Sequence, residues 1–307
     1  MNKLQSILKP TKAAGLELLL LPNNEWRMTL CVLAVEKGRV MVVDKIKGLT
    51  SVSELRQHLP EGMPVALGVD GKSILHKRIA LEENSSVNPV DRLKAMIPNL
   101  NLPEFCLQSY FFHGGAYLSL IRKDTLDQIL DTLRKAGIWV VQATTGPFVV
   151  STLLRVLEAK EEMVFNGYQL TLQDWQIQSY RTTAPADSES SPVFRIGEES
   201  LEGEWLLAYA AALGLLTSHS DVPALSAEGV TTNRHEWEQR RIFRVAGWTV
   251  LLSLLLILLV NFLLFSQFSH QNAQLLSQTD GSDHSTEKIA RLRTELKERQ
   301  QFFLAAG

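Results

Sequence analysis

The chain has 307 residues, 45% of them hydrophobic, and a formal net charge of −2. That balance offers no bulk electrostatic attraction for nucleic acid, and the two cysteines, Cys31 and Cys106, fit no metal-binding or redox spacing. The length suffices for one large domain or two small ones with accessory segments.

The first fifteen residues, MNKLQSILKPTKAAG, hold early lysines but no long apolar core and no small-residue cleavage site, so no secretory signal is expected. The stretch GLELLLLPNNEWRMTLCVLAVEKGRVMVVDKI reads as a three-stranded meander, with turns at Pro22-Asn23-Asn24 and Lys37-Gly38. SVSELRQHLP reads as a short helix stopped by Pro60. In GVDGKS, Gly71, Lys72 and Ser73 match the end of a phosphate-binding loop. The Gly required five positions earlier is Ala66, however, and no helix pattern comes after it. Asp70-Gly71 between two apolar runs predicts a tight hairpin instead.

PVDRLKAMIP predicts a helix between Pro89 and Pro98, and CLQSYFFHGGAYLSLIRK two strands around Gly114-Gly115. Leu126, Ile129, Leu130 and Leu133 recur at spacings of 3 and 4, one apolar helix face, with Asp124 placed to cap its start and Gly137 its end. The strand IWVVQAT comes next, then Gly146-Pro147 leading into a second helix to about Lys160. Thr144-Thr145-Gly146 reads as a capped strand-to-helix turn, with anion binding at a helix N-terminus the alternative. NGYQLTLQDWQIQSYR alternates as a strand pair turning at Asp174-Trp175. APADSESSP reads as a polar loop, LEGEWLLAYAAALGLL as a helix buried on most sides, and Thr217 to Glu236 as a polar linker. Strands and helices in this mixed order predict an α/β fold with mixed sheets.

Val245 to Phe265 is 21 residues without a charge. At 1.5 Å per residue such a helix spans about 31 Å, the thickness of a bilayer's hydrocarbon core. Arg234, Arg240, Arg241 and Arg244 precede it, while the first basic residue beyond it is Lys288. Basic residues stay on the cytoplasmic side, so the N-terminal part is expected there, with the C-terminal tail outside. Trp248 and Phe268 fall at the two interfaces. Asn261 lies inside the span, where an amide either pairs with another helix or reaches hydration near the interface. In the tail, Ile289, Leu292, Leu296 and Phe303 fit a heptad seam that Arg299 interrupts, supported by Glu287–Arg291 and Glu295–Arg299 spacings. An ordinary amphipathic helix is the other reading.

None of the seven histidines stands at metal-ligand spacing with a Cys or another His, and no serine sits in a Gly-x-Ser-x-Gly elbow. The pairs Glu82-Glu83 and Glu161-Glu162 lie in polar stretches and read as solvated. No catalytic, cofactor-binding or metal-binding residue is expected.

The stretches VALGVDGKSILHKRIAL, YLSLIRKDTLDQILDTLRKAGIWVVQATTGPFVV and EGEWLLAYAAALGLL, in this order, resemble the cytoplasmic actin-like domain of the inner-membrane platform proteins of type IV pili and type II secretion. The most telling is the second: strand, helix ending in Lys-Ala-Gly, strand and a Gly-Pro lead into the next element. The pilus version docks a separate M component on an N component; the secretion version, the L component, joins the domain to a membrane span in one chain, as here. The resemblance implies a degenerate actin-like, ribonuclease H-like fold over residues 1–222, a basic juxtamembrane linker over 223–244, a transmembrane helix over 245–266, a polar linker over 267–286 and a periplasmic coiled-coil-like helix over 287–307.

It also implies an inner-membrane, single-pass protein with its N-terminus cytoplasmic and its C-terminus periplasmic. Expected partners are a cytoplasmic secretion or pilus assembly ATPase, a sister bitopic subunit, membrane lipid and a second copy in a homodimer. In the resembled family the tail helix leads into a small periplasmic ferredoxin-like domain; here the sequence stops at Gly307 before one. ATP-binding actin-like proteins carry Asp-x-Gly loops in each half. The first turn here is LLPNNEWRM, without Gly, and the second is VFNGYQLTL, keeping only Asn166-Gly167. Carboxylates to hold Mg²⁺ and glycines to admit phosphate are missing, so a non-hydrolytic platform component is expected. The alternatives are a membrane-tethered actin-like ATPase or sugar-kinase relative and a single-pass sensor.

Overall fold

The structure is a computed structural model describing residues 10–23, 25–81, 88–157, 161–182, 192–197, 199–217 and 222–305. Within the last stretch, side chains are described at 222–243, 246–272 and 285–301. The polar loop read at 184–192, apart from Pro192, and the pair Glu82-Glu83 lie outside the described residues. The chain divides into two units, Met1–Ile242 and Phe243–Gly307.

The first unit is a mixed α/β fold. Strands β1 (Lys12–Leu20), β2 (Trp26–Glu36) and β3 (Arg39–Leu49) form the expected antiparallel meander. β4 (Pro64–Gly71) runs parallel to β1, and β8 (Trp139–Thr145) parallel to β4, giving a five-stranded sheet in the order β3-β2-β1-β4-β8. The period-two alternation of strands sorts its two faces. Ala14, Leu16, Leu18, Leu67 and Val69 enter one apolar core, and Ala13, Leu33 and Ala66 enter another.

The first core is closed by α1 (Val52–His58) and α3 (Lys123–Lys135), whose Leu126, Ile129, Leu130 and Leu133 are all buried as their spacing predicted. Gly137, at φ +77°, ends α3: its N–H reaches Arg134 O at 2.9 Å and Ile138 N–H reaches Leu133 O at 3.0 Å. Asp124 does not cap α3. Arg122 holds the N-cap position without a side-chain bond, and Asp124 lies in the first turn, where its charge complements the helix dipole.

The second core is closed by α4 (Leu206–Thr217), the apolar helix expected here. It lies directly on β1, because a Cβ at Gly15 would stand 1.7 Å from Ala208 O. Three further groups complete the unit: the sheet β5-β7-β6, built from β5 (Ile74–Ala80), β6 (Phe105–Phe112) and β7 (Gly115–Arg122) and carrying α2 (Pro89–Met96); the sheet β9 (Glu162–Phe165), β10 (Tyr168–Gln173) and β11 (Gln176–Thr182); and the hairpin β12 (Val193–Ile196) with β13 (Glu199–Glu202).

Three expectations are corrected. The Asp70-Gly71 hairpin does not form, because β4 takes its partners from β1 and β8 while β5 pairs with β7 in another sheet. Gly71 remains in β4 opposite Leu20, where a Cβ would meet Leu20 O at 2.3 Å. The second helix after Gly146-Pro147 is a 3₁₀ segment, Gly146–Thr152, succeeded by turns to Leu157. Its run of Phe148, Val149 and Val150 is buried on every side, and β-branched residues lower helix propensity. Finally, the linker read from Thr217 to Glu236 and over 223–244 is part of the fold where described. Leu225 N–H bonds Ala143 O at 2.8 Å, Leu225, Ala227 and Val230 are buried, and α5 (Glu228–Ala305) has already begun. The backbone stays helical through 267–286, read as a linker from its polarity.

α5 over Glu228–Asn272 is long and apolar enough to cross a membrane. Its apolar side chains from Val250 to Phe268 are exposed.

Candidate functional site

The polar groups that set this fold apart from a plain apolar core gather near the C-terminal ends of β4 and β8. Three strands supply them through register. Glu17 on β1 lies beside Gly68 on β4, which lies beside Thr144 on β8, and Asp70 stands two residues on from Gly68. Glu17 thus places a carboxyl among residues that are otherwise mostly apolar.

Glu17 is only 8% exposed. Its Oε1 accepts from Asn166 Nδ2 at 2.6 Å, and its Oε2 has no hydrogen-bond partner among the described residues. Burial, and then the charge of Asp70, push its pKa up to about 8, against the Asn166 bond, which lowers it. Burial likewise raises Asp70 to about 6, opposed by the Gly71 N–H that bonds Asp70 Oδ1 at 2.7 Å. At neutral pH Glu17 is therefore predominantly protonated. Asn166 reaches it from the β9–β10 turn, where Asn166 and Gly167 both take positive φ (44° and 76°).

His76 on β5 lies against Gly146 at the end of β8, with its Nδ1 2.7 Å from Ser119 Oγ on β7. Its ring packs edge-on against Phe148 and Tyr180, both at 5.8 Å between centroids. Burial lowers its pKa to about 4, so the imidazole is neutral. A histidine at this distance from a serine has the geometry of a base and a nucleophile. Ser119 is fully buried, though, so no substrate atom reaches it. The pair joins β5 to β7 as a structural bond.

Gln108 on β6 completes the cluster. Its Oε1 accepts from Thr144 Oγ1 at 2.9 Å and from Thr145 N–H at 2.8 Å, and its Nε2 donates to Thr145 O at 2.9 Å. The Thr145 amide, the donor an anion would use at this turn, is thus occupied by Gln108. Gly146 takes φ +66° with the His76 ring against it; a Cβ there would stand 2.8 Å from His76 Cε1. Lys72, the lysine of the phosphate-loop match, donates from Nζ to Pro22 O at 3.1 Å, and Ser73 leads into strand β5 rather than into a helix.

The residues singled out from sequence lie elsewhere, on α5. Trp248 is 67% exposed, and Ile289, Leu292 and Leu296 are also exposed, as is Asn261. The side chain of Phe303 lies outside the described residues. Sequence reasoning missed Glu17, Asp70, His76 and Gln108. The one available signal was Glu17 itself, a lone acid within an otherwise apolar strand; Asp70 was read only as part of a turn, and Asn166 only as what remains at the second phosphate-loop position.

No protein-family model matches the chain, and no curated protein matches it. Among solved structures it is similar to the cytoplasmic domain of EpsL, an inner membrane component of the type II secretion system of Vibrio cholerae. The identity is 15% and the TM-score 0.36, over 55% of this chain and 71% of that one. It is also similar to a PilM-PilN type IV pilus biogenesis complex, at 13% identity and a TM-score of 0.39, over 56% of this chain and 61% of that one. The chain thus spans less than two thirds of the second.

Proposed function

We propose that this chain is a non-catalytic inner-membrane platform component of a type II secretion or type IV pilus-like machine. Its α/β unit, a degenerate actin-like domain, would serve as the docking surface for a cytoplasmic assembly ATPase, and α5 would cross the membrane once to a periplasmic partner, a sister bitopic subunit among them. The observation that carries this reading is α5. One helix begins among the buried residues of the α/β unit, where Val230 and Asn233 are buried, and continues without a break through the apolar run. The arginines before that run support a cytoplasmic N-terminal side.

The non-catalytic part rests on the interior chemistry. The glycine-rich phosphate contacts of an actin-like ATPase have no counterpart at the two turns read for them, and the Thr145 amide is bonded to Gln108. Equilibrium titration of the full chain with labelled ATP and Mg²⁺ tests this; micromolar affinity with turnover would favour the tethered-ATPase reading. Crosslinking in intact membranes, with identification of the attached proteins, tests the platform role. Recovery of an assembly ATPase together with a second bitopic protein is expected. Recovery of a kinase or a transcription regulator instead would favour a membrane sensor.

A further inference from the structure

We infer that residues 222–227 form a strap that couples the start of α5 to the lobe built from β5, β6, β7 and α2: α5 does not shift without opening the seam between β6 and β8. The inference stands on the fold of the α/β unit alone. In the proposed platform role it names the path by which a displacement of α5 reaches that lobe, and its failure would leave the role itself untouched.

β6 and β8 are each the last strand of a sheet, so two strand edges flank the seam. Gln108 on β6 spans it through its three bonds to Thr144 and Thr145 on β8. One residue earlier on each strand the strap lies across it. Leu225 N–H donates to Ala143 O at 2.8 Å, and Ser226 N–H donates to Leu107 O at 2.9 Å. Successive N–H groups directed to opposite sides are the geometry of an extended strand. Burial alternates with the same period: Pro223, Leu225 and Ala227 are buried, while Ala224 and Ser226 are exposed. The strap is a short extended segment inserted between two sheets.

Both of its ends are seated on helices. Val222 packs on α4, with Cγ2 3.1 Å from where a Cβ of Gly214 would stand. Gly229, in the first turn of α5, packs on α3, with Leu130 Cδ1 3.1 Å from the corresponding point. A single residue, Ala227, separates Ser226 from Glu228, where α5 begins. One residue spans at most ~3.6 Å, and Ala227 is itself buried in the first core, so the connection holds little slack. A hydrogen bond is lost once donor and acceptor part beyond about 3.5 Å. A shift of α5 by ~1 Å along its axis therefore breaks both strap bonds or carries the strand edges with it.

The seam is also where the interior is polar. Gln108, Thr144 and Thr145 are all buried, and Thr145 Oγ1 has no partner among the described residues. Hydrogen bonds given up there are replaced by bonds to water, so the seam opens more readily than an apolar contact. The rest of the lobe is held by apolar side chains: Cys106 and Ile121 enter the first core, and Tyr110, Phe112 and Tyr117 the second. These oppose detachment of the lobe and confine the opening to the seam. Farther along α5, Trp237 provides a second hold through its 2.9 Å bond to Gly62 O.

Native-state hydrogen exchange of the detergent-solubilised full chain, read at the amides of Thr145, Leu225 and Ser226, tests the strap. Trp237→Ala lets the start of α5 shift and should speed exchange at all three by about tenfold, with Leu16 and Leu30 in β1 and β2 unchanged. Two glycines inserted between Ala227 and Glu228 leave every seam bond in place and supply slack; in that background Trp237→Ala should no longer speed the seam. Ser226→Pro removes the bond to Leu107 and should speed Thr145 exchange with Trp237 intact. A seam that ignores Trp237→Ala, that responds equally with and without the inserted glycines, or that quickens only together with Leu16 and Leu30 overturns the strap. So does unchanged Thr145 exchange in Ser226→Pro.

Discussion

Asn166 donates to Glu17 across 2.6 Å, tying the β9–β10 turn to the central strand of the five-stranded sheet. Burial, with Glu17 Oε2 lacking a partner among the described residues, disfavours the ionised carboxylate there. This sets a pH dependence. Glu17 keeps its proton to about pH 8 when folded but loses it near 4.5 when unfolded. The folded state thus binds more protons in that window, and stability falls as pH rises from about 4.5 to about 8. Asp70, raised from 3.8 to about 6, adds a slope of the same sign at lower pH. Glu17→Gln should flatten the alkaline part of the profile and at pH 8 be more stable than wild type by about 1–3 kcal/mol. Thermal unfolding of the detergent-solubilised chain between pH 5 and 9 reads both.

Gly15 makes the close seat of α4 on β1 possible. A Cβ there would meet Ala208 O at 1.7 Å, Ala208 C at 2.7 Å and Ala212 N at 2.9 Å, all backbone atoms that no rotamer change relieves. Gly15→Ala should push α4 off the sheet and cost at least ~3 kcal/mol, on the scale of overpacked cores. Gly38→Ala is the control. Gly38 takes φ +80° in the β2–β3 turn with nothing within 4 Å of its Cβ position, so only the left-handed backbone is penalised, by about 1 kcal/mol. Denaturant unfolding of the two variants should separate them clearly.

How much could be read in advance depends on the range of the interactions. The α3 face at Leu126, Ile129, Leu130 and Leu133 is a local periodicity, and the turns at Lys37-Gly38 and Asp174-Trp175 are local φ requirements, met with both residues at positive φ. Asp70-Gly71 carries the same local signal, yet its two strands enter different sheets. A turn dipeptide reports that the chain changes direction, not which strands then pair, and β4 had already been claimed on both edges by β1 and β8. Polarity misled at Leu225 to Asn233, where a few apolar residues dock on a core whose shape no local pattern contains. The polar cluster was illegible for the same reason: Glu17, Asn166, His76 and Gln108 come from four distant segments.

Trp237 holds the start of α5 to the α/β unit. Its Nε1–H donates to Gly62 O at 2.9 Å, and Arg134 Nη2 meets Glu236 Oε1 at 2.9 Å one residue earlier. Arg240 lies over the Trp139 ring, 4.3 Å from its centroid. The ion pair is partly exposed and contributes little by itself; the indole supplies both buried area and a satisfied bond. Trp237→Ala should therefore free the first turns of α5 at a cost of about 2–4 kcal/mol, exposing the arginines around 234–241 to trypsin. Faster cleavage there, with the rest of the α/β unit resistant, is the expected digest; uniform loss of the whole unit would mean that Trp237 supports the core and not α5 alone.

His76 gives the acid side of the profile. Its pKa falls from 6.5 to about 4 on folding, so the unfolded chain binds the extra proton and stability is lost as pH falls from about 6.5 through 4. Glu17 and Asp70 work in the opposite direction over part of the same range, and the wild-type slope is the difference between them. Removing Glu17 as an ionisable group uncovers the histidine. The acid limb of Glu17→Gln should be steeper than that of wild type. Adding His76→Phe with Ser119→Ala, which removes both ends of the 2.7 Å bond so that no buried hydroxyl is stranded, should level it again. Histidine NMR reports the group directly: the His76 imidazole should stay neutral down to about pH 4. A midpoint near 6.5 in the folded chain would show that solvent reaches the ring, and the proposed acid limb would have to come from other groups.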